Sequence, residues 1–239
     1  MIQVIRETHR APASVARRLE IAGGVNRFGR PNYRAVWGWS RLGWIGGKWE
    51  DRGAGGELVR EVVALRPAGA RLLVLFLGST VGNFETGADV RFLSEVRSFL
   101  RPGDSLLLGT DLLKPSDRML AAYDDALGVT AAFNINLLAR INRELDGDFD
   151  LRQFEHMAPF NEDDGCIEMH LRSKKRQTVH IRSCGYDVAF EAGETIWTES
   201  CRKYTPVAID RLAAACGFRT EAQWIDRDWP FAESLWLVE

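Results

Sequence analysis

Hydrophobic and polar residues follow two regimes along this chain, and they meet near residue 60. From residue 61 the pattern is regular. Residues 71–78, RLLVLFLG, form a continuous apolar run of the kind expected for a strand covered on both faces. After a polar loop, residues 89–100 place Val90, Leu93, Val96 and Leu100 at helical spacing, and the turn Arg101-Pro102-Gly103-Asp104 ends the helix. SLLLGTDLL (105–113) reads as a second buried strand. Strand, helix and strand make a β-α-β unit, for which parallel strands and a right-handed crossover are expected.

Residues 116–145 are mostly helical in pattern. Ser116 and Asp117 are suited to capping the start, and the Gly128 region separates two helices. The pattern then changes. In 166–181, Ile167, Met169 and Leu171 alternate with Glu168, His170 and Arg172. A further strand pattern covers 187–200, with a turn at Ala192-Gly193. Two such segments joined by a polar loop predict antiparallel strands with one solvated face, which would leave His170 and His180 in water. PVAIDRLAAACGF (206–218) predicts a helix, with Pro206 in its first turn and Gly217 at its end. RTEAQWID and ESLWLVE predict two closing strands. The order of elements is that of an α/β chain.

The first 60 residues show no such order. VWGWSRLGWIGGKWED holds Trp37, Trp39, Trp44 and Trp49 among glycines, without helical or strand period. One reading is a poorly ordered segment. Another is a basic, aromatic surface that stacks on nucleic-acid bases. Arg-, Gly- and Trp-rich text joined abruptly to patterned text is also what a shifted reading frame in a GC-rich gene produces.

Charge sharpens the division. Residues 1–60 carry 11 Lys and Arg against 5 Asp and Glu, and the remainder carries 20 against 28. The whole chain has a net charge of −2, so no nucleic-acid or membrane-surface partner is expected overall. Cys166, Cys184, Cys201 and Cys216 show no CxxC spacing, which points away from a disulfide framework or zinc site and toward a reducing, cytoplasmic setting. No run of about 18 apolar residues is present to span a membrane, and MIQVIRETHRAPASVARR lacks the apolar core of a secretory signal.

Candidate chemistry is confined to a few places. GxGxxG, GxxxxGK[ST] and GxSxG are absent, and the four histidines form no metal-ligand pattern, so no metal is expected. The loop GSTVGN after the first strand holds Gly78, Thr80 and Asn83 where open α/β sheets bind ligands. An amide, a hydroxyl and backbone carbonyls can hold both an ammonium and a carboxylate; an ordinary strand-to-helix turn would look similar. In AAYDDALGVTAAFN, Tyr123, Thr130 and Phe133 recur on a helical stretch, as pocket residues or as core. In TESCRKY, Glu199 could accept a hydrogen bond from a ligand N–H, or simply pair with Lys203.

These constellations in this order resemble the histidine Nα-methyltransferases of ergothioneine biosynthesis, which use S-adenosylmethionine to make trimethylhistidine (hercynine). The resemblance runs from about residue 70 to the C-terminus. It is carried by FLGSTVGNF, LLLGTDLLKPSDRMLAAYDDALGVTAAFNINLLARINREL, DFDLRQFEH, IEMHL and AGETIWTESCRKY. It implies a Rossmann-like class I methyltransferase sheet with an inserted α+β substrate-binding domain. The sheet would use 66–113 and 204–239, with its last strand antiparallel; the insert would be 114–203; residues 1–65 stay unassigned.

By the same resemblance, Gly78, Thr80 and Asn83 match positions that hold the substrate's α-amino group beside the methyl donor. Tyr123 matches a tyrosine for the carboxylate and Phe133 a pocket wall. Met169 and Glu199 match residues of the imidazole pocket, with Glu199 accepting the ring N–H. The chemistry requires an uncharged amine aimed at the sulfonium methyl, so positioning supplies most of the acceleration and no dedicated catalytic residue is required. Two departures stand out. Cys201 occupies a position where the family usually has serine, and a thiol is the weaker hydrogen-bonding group. The family's donor-binding motifs find no match in residues 1–70. A sheet lacking those strands would expose an edge and favour self-association. The readings carried forward are a histidine methyltransferase, a methyltransferase for another amino acid, and a non-catalytic remnant of the family.

Overall fold

The computed structural model describes residues 71–239 and, as backbone only, the strands β1 (Tyr33–Trp39) and β2 (Leu42–Gly47). These two strands pair antiparallel, with Trp37 opposite Trp44. That corrects the reading of the Trp-rich segment as lacking strand structure. A sequence in which Trp and Gly are interspersed has no polar–apolar alternation to reveal a strand. The other expectations for residues 1–65, the shifted frame and the nucleic-acid surface among them, fall outside the described residues.

In chain order there follow β3 (Leu73–Phe76), α1 (Ala88–Phe99), β4 (Ser105–Asp111), α2 (Ser116–Tyr123) and α3 (Val129–Leu145). Next come β5 (Phe154–Met157), β6 (Phe160–Asn161), β7 (Cys166–Ser173), β8 (Gln177–Ile181), β9 (Tyr186–Phe190) and β10 (Thr195–Arg202). The chain ends with α4 (Pro206–Ala215), β11 (Arg219–Ile225) and β12 (Phe231–Leu237). Two compact units result, with Lys114–Arg202 in one and the flanking segments, through Leu113 and from Lys203 on, in the other.

The flanking segments build a four-stranded sheet in the order β11-β12-β4-β3. β3 and β4 are parallel, joined through α1, and β12 runs antiparallel to β4. The turn expected at Arg101–Asp104 does more than reverse the chain. The Asp104 carboxylate, fully buried, accepts from the Leu72 and Arg101 N–H groups at 2.8 and 3.0 Å, tying the start of β3 to the entry of β4. One sheet face supplies Leu106, Leu108, Ala232 and Trp236 to a core shared with Leu93 and Val96 of α1 and Ile209 and Leu212 of α4. On the other, Leu73 and Leu75 remain 55% and 43% exposed. α4 begins as expected: Pro206 is in the first turn and the Thr205 hydroxyl accepts from the Ala208 N–H at 3.2 Å.

In Lys114–Arg202, the two segments expected to pair antiparallel do so, each broken by a bend into two strands. β7 pairs with β10 and β8 with β9. The short strands β5 and β6, which the pattern does not announce, also pair with β7. α2 starts at Ser116 after Pro115 with no side-chain cap, so Ser116 and Asp117 do not serve as expected. α3 is held instead by Asp125, whose carboxylate accepts from the Val129 and Thr130 N–H groups at 3.0 and 2.7 Å. Those bonds, Thr130 first, bring the Asp125 pKa down to about 2.

Candidate active site

Antiparallel partners share a face of their sheet, and consecutive residues alternate faces. Along β7 and β10 the pairs Leu171–Ile196, Met169–Glu199 and Ile167–Cys201 therefore lie on one face, and His170–Trp197 lies on the other. Glu199 reaches the first face only because the register shifts between Trp197 and Glu199. In an unbroken strand Glu199 would follow Trp197 onto the opposite face. Thr198 is the extra residue of this bulge, and its buried hydroxyl donates to the Met169 carbonyl at 2.9 Å. The Trp197 indole N–H donates to the Glu199 carbonyl at 3.1 Å from the other side.

Helices cover the face that carries Glu199. Leu171 and Ile196 pack with Leu138 and Ile141 of α3, and Ile167 and Met169 pack with Met119 and Tyr123 of α2. Tyr123 is the last residue of α2, and its hydroxyl lies 2.9 Å from the buried Cys201 sulfur. The structure thus gathers Tyr123, Met169, Glu199 and Cys201 on one covered sheet face. Phe133, on α3, is 55% exposed. Cys166, beside Arg202 in register, is kept a thiol by burial, which pushes its pKa up. Lys203 forms an ion pair with Asp111 at 2.8 Å, its side chain almost wholly buried.

Nor is His170 a solvated strand residue. Its ring lies parallel to Trp197 at 6.3 Å, and Nε2 is 3.1 Å from Glu168. His180 is exposed and contacts Asp187 at 2.7 Å.

The loop after β3 is a constrained turn. Gly78 and Ser79 both take left-handed backbone conformations, with φ of 75° and 57°. For Ser79 this is uncommon, and its hydroxyl accounts for it by accepting from the Asp111 N–H at 2.8 Å. Thr80 donates to the Leu77 carbonyl at 3.2 Å and begins a 3-10 turn ending at Asn83. The Tyr204 hydroxyl donates to the Val81 carbonyl at 3.4 Å. A Cβ at Gly109 would lie 3.2 Å from the Gly78 nitrogen and 3.1 Å from a Glu233 carboxylate oxygen, so β4 passes close to the turn that leaves β3 and a side chain there would force its neighbours to shift. The sequence names Gly78, Thr80 and Asn83 but not Ser79, Gly109 or the Lys203–Asp111 pair that surround them.

Residues 51–238 match the family described as histidine-specific, SAM-dependent methyltransferases. The chain belongs to this family. The histidine N-alpha-methyltransferase of Mycolicibacterium smegmatis is 48% identical over 169 residues, which are 71% of this chain and 53% of that protein. Its counterpart in Mycobacterium tuberculosis is 47% identical over the same shares. An L-tryptophan methyltransferase of Psilocybe serbica is 30% identical over 155 residues, 64% of this chain and 43% of that protein. The chain spans about half the length of the histidine N-alpha-methyltransferases it matches. The matched residues 51–238 span both the Gly78–Asn83 loop and the strands bearing Met169 and Glu199.

Proposed function

We propose that this chain acts in S-adenosylmethionine-dependent Nα-methylation of L-histidine, giving trimethylhistidine (hercynine) for ergothioneine biosynthesis. The observation that carries the reading is the bulge at Thr198, which turns Glu199 onto the face of Met169, Cys201 and Tyr123. A carboxylate there accepts an imidazole N–H, Met169 packs against the ring, and the Tyr123 hydroxyl takes the substrate carboxylate. The loop with Gly78, Thr80 and Asn83 takes the α-amino group on the strength of the family resemblance. S-adenosylmethionine supplies the methyl group when bound, and none of the described residues is assigned to it. Holding the neutral amine in one orientation is the protein's contribution, while the ammonium proton leaves to solvent before transfer.

A second reading is methylation of another aromatic amino acid. It is supported by Cys201 in place of a hydroxyl and by the similarity to the fungal L-tryptophan methyltransferase. The test is calorimetric titration with S-adenosylhomocysteine, then with histidine or tryptophan in its presence. Saturable donor-analogue and histidine binding supports the first reading, and tryptophan binding in place of histidine supports the second. No donor-analogue binding makes the chain a non-catalytic family member.

A further inference from the structure

The stretch DFDLRQFEH carries part of the family resemblance yet holds none of the residues assigned to substrate. Its last residue is His156, on β5 opposite Leu171 and therefore on the helix-covered face. His156 Nε2 lies 2.8 Å from the main-chain carbonyl of Tyr123. His156 Nδ1 lies 2.9 Å from Nδ2 of Asn134, whose amide also donates to the His170 carbonyl at 3.2 Å. Asn134 is 1% exposed.

These contacts determine the ring's state. A carbonyl only accepts, so Nε2 must carry a proton, and an amide NH₂ only donates, so Nδ1 must be bare. The bond to His170 in turn determines which way the Asn134 amide points. Tyr123 ends α2, and the last carbonyls of a helix have no partner within it. His156 thus closes the helix end at the very residue whose hydroxyl meets Cys201 at 2.9 Å. The alternative of a merely space-filling ring leaves both hydrogen bonds of a half-buried side chain unexplained.

We propose that His156, as the neutral Nε2–H tautomer oriented by Asn134, is a positioning residue that sets the place of the Tyr123 side chain for the substrate carboxylate. The inference rests on the reading of Tyr123 as the carboxylate-binding residue. It therefore concerns the carboxylate end of the substrate and leaves the imidazole end unaffected.

Two measurements test it. The first is ¹⁵N NMR of the histidine-labelled chain, where the Nε2–H tautomer of His156 is expected and an Nδ1–H or doubly protonated ring overturns the proposal. This readout does not depend on any function. The second is calorimetry of wild type, His156→Phe and His156→Gln with histidine and with histamine, which lacks the carboxylate. Phenylalanine should weaken histidine binding about tenfold and leave histamine binding unchanged. Glutamine, whose amide N–H reaches a similar position, should restore most of the loss. Equal losses for both ligands, no loss at all, or no recovery with glutamine overturns the positioning role. Failure of folded wild type to bind histidine, with the tautomer as expected, overturns the histidine reading and the substrate role of His156 with it.

Discussion

Glu199 lies directly opposite Met169, although Trp197, two residues earlier on the same strand, lies opposite His170. One extra residue, Thr198, decides which side of the sheet receives the carboxylate. Deleting Thr198 makes Glu199 the direct successor of Trp197, so in the resulting regular ladder Glu199 stays opposite Met169 and on its face. The deletion variant should therefore keep both its β-sheet circular dichroism and measurable histidine binding by calorimetry. Binding lost in a folded variant would show that the face alone does not place the carboxylate.

Thr198→Val preserves shape and removes the hydrogen bond to the Met169 carbonyl. Because both groups are buried, the loss should cost about 1–3 kcal/mol of folding stability. Urea denaturation reads it directly, and a change of a few tenths would mean that the strand relaxes around the missing bond.

Glu199→Ala removes the group proposed to accept the imidazole N–H. A hydrogen bond to a charged group contributes about 1.5–3 kcal/mol, so histidine affinity should fall roughly 10- to 100-fold. Binding of S-adenosylhomocysteine should stay as in wild type. Unchanged histidine affinity would count against the assignment of Glu199 to the ring.

Cys201→Ser replaces a weak hydrogen-bonding group with a strong one beside the Tyr123 hydroxyl. The variant should favour histidine over tryptophan more strongly than wild type, by several-fold in the ratio of their dissociation constants. A ratio that does not move would show that selectivity lies elsewhere in the pocket.

Asp125 gives a pH signature. Its carboxylate is held at about 2 in the folded chain by the Thr130 and Val129 N–H groups, against an ordinary value of 3.8. A depressed folded value means stability that is complete above the ordinary value and lost as pH falls through the folded one. Melting temperatures of wild type and Asp125→Ala should differ at neutral pH, and the gap should close between pH 3.8 and about 2. A constant gap would assign the effect to helix geometry rather than charge.

Local patterns made much of this protein legible. The β-α-β unit announces itself because Leu73–Phe76 is wholly apolar, Ser105–Asp111 carries Leu106, Leu107 and Leu108 in succession, and α1 keeps helical spacing between them. Pro206 and Gly217 bracket α4 because their backbone preferences act on their own residues. Of the candidate site, Tyr123, Met169, Glu199 and Cys201 were named from the family resemblance, and the structure gathers them on one face. The hairpin of β1 and β2 was illegible, since Trp and Gly there do not alternate with polar residues.

The sequence by itself determined which residue types are available and which segments are helix or strand, because those depend on neighbours a few positions away. Only the tertiary structure decided that Thr198 bulges out of β10, that Lys203 pairs with Asp111, and that His156 closes the end of α2. Each of those outcomes is a contact between residues far apart in the chain or a one-residue shift of register. A shift of one residue exchanges the two faces of a strand while leaving its composition unchanged, so no local pattern can report it.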